Sequence, residues 1–172
     1  EDNIVGTAAA ESLRRTLRIS DAPETIGVGA AVTADLLNPH ASEFAKLRLV
    51  TILAGARSES LAAVPLTIIQ PNHPASPTLK ALTMERYLGS WKLNFDESRQ
   101  QEAGKGDKSG RLRLIRFSGA VQELASSLEA ERRNTEAAMS PDKRVLLEAA
   151  RSMRQEVGEI LGPISWLTAK FD

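Results

Sequence analysis

The sequence predicts a mainly α fold (α+β): a bundle of five or six helices with one small antiparallel β-hairpin, forming a single helical domain over residues 1–172. Three observations carry this reading. Apolar residues recur at spacings of three and four over most of the chain. Helix-start chemistry, a capping side chain with proline just after it, recurs at Ser20-Asp21-Ala22-Pro23, Ser76-Pro77 and Ser140-Pro141. Two stretches, Trp91 to Phe95 and Arg111 to Phe117, instead alternate, which is the period of a strand.

The elements follow in chain order. Residues from about 4 to 19 read as an amphipathic helix, with Ile4, Val5, Ala8, Ala9, Leu13 and Leu17 on one side and Glu11, Arg14, Arg15 and Arg18 largely elsewhere. A second helix, about 23 to 37, is rich in small residues (Gly27, Gly29, Ala30, Ala31) that allow close helix contacts, each glycine costing about 1 kcal/mol of helix propensity. Asn38-Pro39 ends it and caps a third, about 40 to 57. Phe44, Leu47, Leu49, Val50, Ile52, Leu53 and Ala54 surround that axis, so this helix is expected at the centre of the core, with Leu47, Val50 and Leu53 nearly fully buried. Ala63 to Ile69 reads as an edge strand, since Pro65 removes a ladder donor. After the proline-rich loop Pro71 to Pro77, a helix is expected to about Leu88, closed by Gly89.

The protruding hairpin is placed at about 91–117, with a polar, glycine-bearing tip from Asp96 to Gly110. A helix from about 118 to 138 carries Val121, Leu124 and Leu128 on one stripe. Another restarts at Ser140, with a seam of Leu146, Ala149 or Ala150, Met153, Val157 and Ile160. Gly162-Pro163 is read as its break, and Trp166, Leu167 and Phe171 as an apolar tail.

Composition narrows the function classes. Hydrophobic residues are 42% and charged residues 26% of the 172, an ordinary globular balance, and the formal net charge is zero. A neutral chain exerts no global pull on nucleic acid or anionic membrane. Without cysteine there is no disulfide, thiol nucleophile or cysteine metal site. No stretch approaches the roughly 20 apolar residues needed to span a bilayer, and Glu1-Asp2-Asn3-Ile4 does not open a signal peptide. A cytoplasmic or other intracellular location is therefore expected, with no membrane partner.

Motifs with a defined chemistry fail on their details. His40 and His73 lie far apart in proline-flanked loops with no metal-ligand spacing, and no Gly-x-Ser-x-Gly elbow positions a nucleophile. Gly27-Val28-Gly29 starts like a dinucleotide fingerprint, but Val32 stands where the third glycine belongs. Gly104 to Gly110 evokes a phosphate loop, but Asp107 precedes the Lys-Ser pair and Glu102 replaces the first glycine. No catalytic residue, cofactor or metal site is assigned.

The charge map is the remaining signal. Residues 99–117 hold six basic side chains (Arg99, Lys105, Lys108, Arg111, Arg113 and Arg116) against two acidic ones, while the segments on either side are each slightly acidic. Beside Trp91, Phe95 and Phe117, these cations are the candidate contacts to a nucleic-acid backbone, by phosphate pairing and base stacking. The plainer alternative is a charged solvent face of a hairpin, which blocks edge pairing. The expected function is a non-enzymatic structural subunit that self-associates into homo-oligomers, of coat or nucleocapsid type, touching single-stranded RNA through the basic hairpin. The alternatives are a monomeric adaptor that binds a partner protein through apolar helix faces, and an enzyme without a recognisable motif.

Overall fold

The structure is a computed structural model that describes residues 2–101, 108–134 and 139–168, with side-chain detail for 8–93, 110, 112–134 and 139–162. The described residues form eight helical segments and no strand. They are α1 (Asp2–Ile19), α2 (Pro23–Leu37), α3 (Glu43–Ala54), the short α4 (Glu59–Ala63) and α5 (Pro65–Ile68), and the long α6 (Pro77–Gln101), α7 (Lys108–Asn134) and α8 (Pro141–Thr168). The expectation of a mainly α chain holds. The β-hairpin and the count of five or six helices do not.

The first three helices pack as one layer. Leu17 of α1, Val32 and Leu36 of α2, and Val50, Ile52 and Leu53 of α3 share a buried cluster. Pro23 occupies the first turn of α2, where its missing N–H costs nothing. Ser42 caps α3, its hydroxyl accepting from the Ala45 N–H at 3.2 Å. The cap was expected at Asn38, but that side chain is used one turn earlier, accepting from the His40 N–H in the linking turn. Val50 and Leu53 are fully buried, Leu47 is half-buried, and Phe44 is largely exposed under the Arg48 guanidinium.

Ala63 to Ile69 is not an edge strand. Pro65 sits in the first turn of α5, the place in a helix that tolerates proline, and Leu66, Ile68 and Ile69 are buried. They plug the junction between the N-terminal layer and the long helices.

The expected hairpin is replaced by the continuation of α6 and the start of α7. Trp91 is buried while Leu93 is half exposed, although an alternating strand would put both on one face. Trp91 instead continues the stripe of Met84, Tyr87 and Leu88, at helical spacing. In α7, Leu114, Phe117, Val121, Leu124 and Leu128 are buried at steps of three and four, whereas Leu112 and Ile115 are 48% and 46% exposed. The alternation was real, but it lasted too few residues to outweigh the longer helical period around it. The Trp91 indole N–H donates to the Gly110 carbonyl at 2.6 Å, joining α6 to α7, and Tyr87 stacks on Phe117 with ring centroids 5.0 Å apart.

Two expected helix ends are also passed through. Gly89 lies inside α6, and α8 runs past Gly162-Pro163 to Thr168. The seam on α8 is as expected: Leu146, Ala150 and Val157 are buried, and Met153 and Ile160 pack against the same core. Phe171 and residues 102–107 of the expected hairpin tip lie outside the described residues, as does side-chain detail for Trp166 and Leu167.

Candidate functional site

The six cations assigned to nucleic acid do not share one protruding hairpin. Arg99 lies near the end of α6, Lys108 and Arg111 lie in the first turn of α7, and Lys105 lies outside the described residues. Arg113 and Arg116 are used inside the fold. The Arg57 backbone N–H donates to the Leu17 carbonyl at 2.7 Å, and its guanidinium donates to the Ile19 carbonyl, so residue 57 receives the end of α1. Arg113 in turn donates to the Arg57 carbonyl at 2.8 Å, and Arg116 pairs with Glu59 at 3.1 Å. These two arginines tie the N-terminal layer to α7. The Arg113 Nε is buried without a hydrogen-bond partner among the described residues, a cost borne for that position.

Unpartnered apolar surface gathers elsewhere, on the N-terminal layer. Of the nine large hydrophobic side chains exposed among the described residues, Ile19, Ile26, Val28, Leu37 and Phe44 belong to α1–α3. In α2 the inward face is Thr25, Gly29, Val32 and Leu36. Its outward face carries Ile26, Gly27, Ala30, Ala31, Ala34 and Leu37, and is uncharged between the exposed Glu24 and Asp35 near its two ends. A helical stretch without charge on any side, as from Thr25 to Ala34, belongs in an interior, and this one has an interior on one side only. Gly29 lies where a Cβ would overlap the Leu61 methyl groups, so the inward glycine permits close approach of α4. Gly27 has open space in front of it. Both glycines lie inside a helix that starts at Pro23, so the strand, turn and helix of a dinucleotide cradle are not formed.

An apolar groove of about 370 Å³ opens between α1 and α3, at the C-terminal end of α2. Leu13, Leu49 and Ile52 line it, and Asp35 and Asn38 from the C-terminal end of α2 border it with Arg48.

Sequence reasoning treated α2 as a packing helix and missed its outer face. The signal was present: no charged residue occurs from Thr25 to Ala34. It also passed over Lys80, which is buried in the first turn of α6 and shares a smaller cleft with His73, Glu131 and Lys143. There the signal was a lysine on the stripe formed by Lys80, Met84, Tyr87 and Trp91. Burial, helped by Lys143, lowers the Lys80 pKa. Burial, helped by Lys80 and Lys46, lowers that of His73.

No protein-family model matches the chain, and no curated protein or solved structure matches it at a significant level. Among the described residues no helix is long and apolar enough to cross a membrane.

Proposed function

We propose that the chain is a non-enzymatic structural subunit that self-associates through its N-terminal layer. The observation that carries the reading is the uncharged outward face of α2. Small residues at Gly27, Ala30, Ala31 and Ala34 let a second helix approach to the short end of the 8–10 Å interaxial range. A second copy is the occupant for which the chain supplies the complement itself, because two such faces are sterically alike and carry no charge between Glu24 and Asp35. The 15 residues of α2 span only about 22 Å, too little alone for a stable interface of about 800 Å² per partner. The interface we propose therefore also draws on the groove bordered by Asp35 and Asn38 and on the exposed Phe44.

Light scattering across a concentration series tests the proposal. Wild type is expected at a multiple of the chain mass, and Ala31→Glu with Ala34→Glu at the mass of one chain with an unchanged helical spectrum. A wild type that stays monomeric at high concentration sinks the self-association reading and leaves the adaptor, in which the same face binds a different protein.

Contact with single-stranded RNA is the second part of the proposal. Arg99 near the end of α6 and Lys108 and Arg111 at the start of α7 belong to the ends of consecutive helices, which supports keeping them as candidate phosphate contacts. Their neutralisation of phosphates predicts a slope of log affinity against log salt of about −0.7 per contact. Fluorescence anisotropy at two salt concentrations reads it, and no binding at low salt removes RNA from the proposal.

A further inference from the structure

We propose that the cleft between the 71–77 loop and helices α6, α7 and α8 is a binding site for a small organic anion, whose carboxylate or phosphate group is held by Lys80, Lys143 and His73.

The argument begins with Lys80. It is 6% exposed, an unusual position for a lysine, and its ammonium donates to the Gln70 carbonyl at 2.8 Å and the Pro71 carbonyl at 3.2 Å. An ammonium has three protons, and among the described residues these two carbonyls take two of them. Lys80 also lines the cleft, so the third proton is available to whatever enters. The two carbonyls hold the nitrogen in place, so little ordering is left to be done on binding.

His73 is the second donor. Its Nδ1 accepts from the Ala75 N–H at 3.2 Å, which in the neutral ring places the proton on Nε2. The lowered pKa of the ring agrees with the neutral form at pH 7. Lys143 lines the other wall and pairs with Glu131. With one ammonium from Lys80, one from Lys143 and one carboxylate from Glu131, the cleft keeps one uncompensated positive charge. Two helix starts add to it: Lys80 belongs to the first turn of α6 and Lys143 to the first turn of α8, and both positive dipole ends favour an anion. Leu124 and Leu128 supply an apolar wall for the rest of the ligand.

Size limits the ligand class. The cleft is about 220 Å³, below the roughly 300 Å³ at which sites for drug-sized molecules begin. A small acid or a single phosphate group fits, and a nucleotide does not.

The experiment is a titration of the full chain with inorganic phosphate and, separately, with acetate, at constant ionic strength, followed by NMR of the His73 ring. A saturable shift of His73 with one of the two probes is expected, and the probe that produces it identifies the anion type. Lys143→Gln, at a partly exposed position, is expected to weaken binding about tenfold, as for loss of one charge-assisted hydrogen bond. Lys80→Met keeps the buried stem and is expected to abolish the shift. If that variant does not fold, Lys143→Gln decides alone. Absence of a saturable shift with either probe overturns the site, and so does a shift that Lys143→Gln leaves unchanged.

Discussion

Single side chains show where local chemistry was decisive and what it predicts. Gly29 and Gly119 both lie inside helices, and both give up about 1 kcal/mol of helix propensity relative to alanine. At Gly119 there is open space, so Gly119→Ala is expected to stabilise by up to that amount. At Gly29 the new methyl meets the buried Leu61, and overpacking of about 1–3 kcal/mol outweighs the propensity gain. Denaturant melts of the two variants should therefore move in opposite directions, and a stabilising Gly29→Ala would disprove the close α2–α4 approach. His73 gives a pH prediction. Its folded pKa lies below the unfolded value of about 6.5, so the unfolded chain binds more protons between the two. Its contribution to stability is fully present above pH 6.5 and is lost as pH falls through the folded pKa. Glu11 behaves in the same sense lower down, since the Arg14 guanidinium holds its carboxyl at about 2, and its contribution fades from about pH 4.5 to 2. Replacing His73 with Gln should flatten the fall just below pH 6.5 and leave the lower one, which melts across a pH series would show.

Elements were legible where a long period ran uninterrupted, and misread where a short pattern was allowed to decide. The ranges of α2 and the seam of α8 followed from proline starts and steps of three and four. The hairpin was inferred from five to seven residues of alternation. Trp91 and Phe117 each belong to a longer helical stripe that begins or ends well outside those windows. The misreading had a functional cost, because it put Arg113 and Arg116 on one protruding basic element. In the helix they sit one turn apart, and each reaches a different partner on the segment 57–59. Their substitutions should therefore differ. Arg113→Met removes a hydrogen bond to a backbone carbonyl and is expected to cost about 1 kcal/mol. Arg116→Gln removes an exposed pair worth about 0–1 kcal/mol. Urea midpoints of the two variants check the order, and an Arg113→Met midpoint equal to wild type would detach α7 from residue 57.

At the scale of the molecule, two buried clusters are held together by shared elements. One is built from α1, α2 and α3 with Leu61, Ile68 and Leu79, the other from α6, α7 and α8 with Ala54, Leu66 and Ile69. Each cluster borrows residues from the other's helices: Leu79 belongs to α6, and Ala54 belongs to α3. None of this exchange was visible in the sequence, because periodicity reports which face of a helix is apolar and not which neighbour covers it. Packing of α3 on α6 and the ties from Arg57 through Arg113 cross the same boundary. Loss of one cluster would therefore strip cover from the other, and the two are expected to unfold together. Leu53 and Phe117, both fully buried, report on one cluster each. Leu53→Ala is expected to cost about 2–5 kcal/mol and Phe117→Ala about 3–5 kcal/mol. In differential scanning calorimetry each should lower a single transition without splitting it. A melt in which Leu53→Ala shifts one of two resolved transitions and Phe117→Ala shifts the other would show that the N-terminal layer and the long-helix bundle are separate folding units, joined but not interdependent.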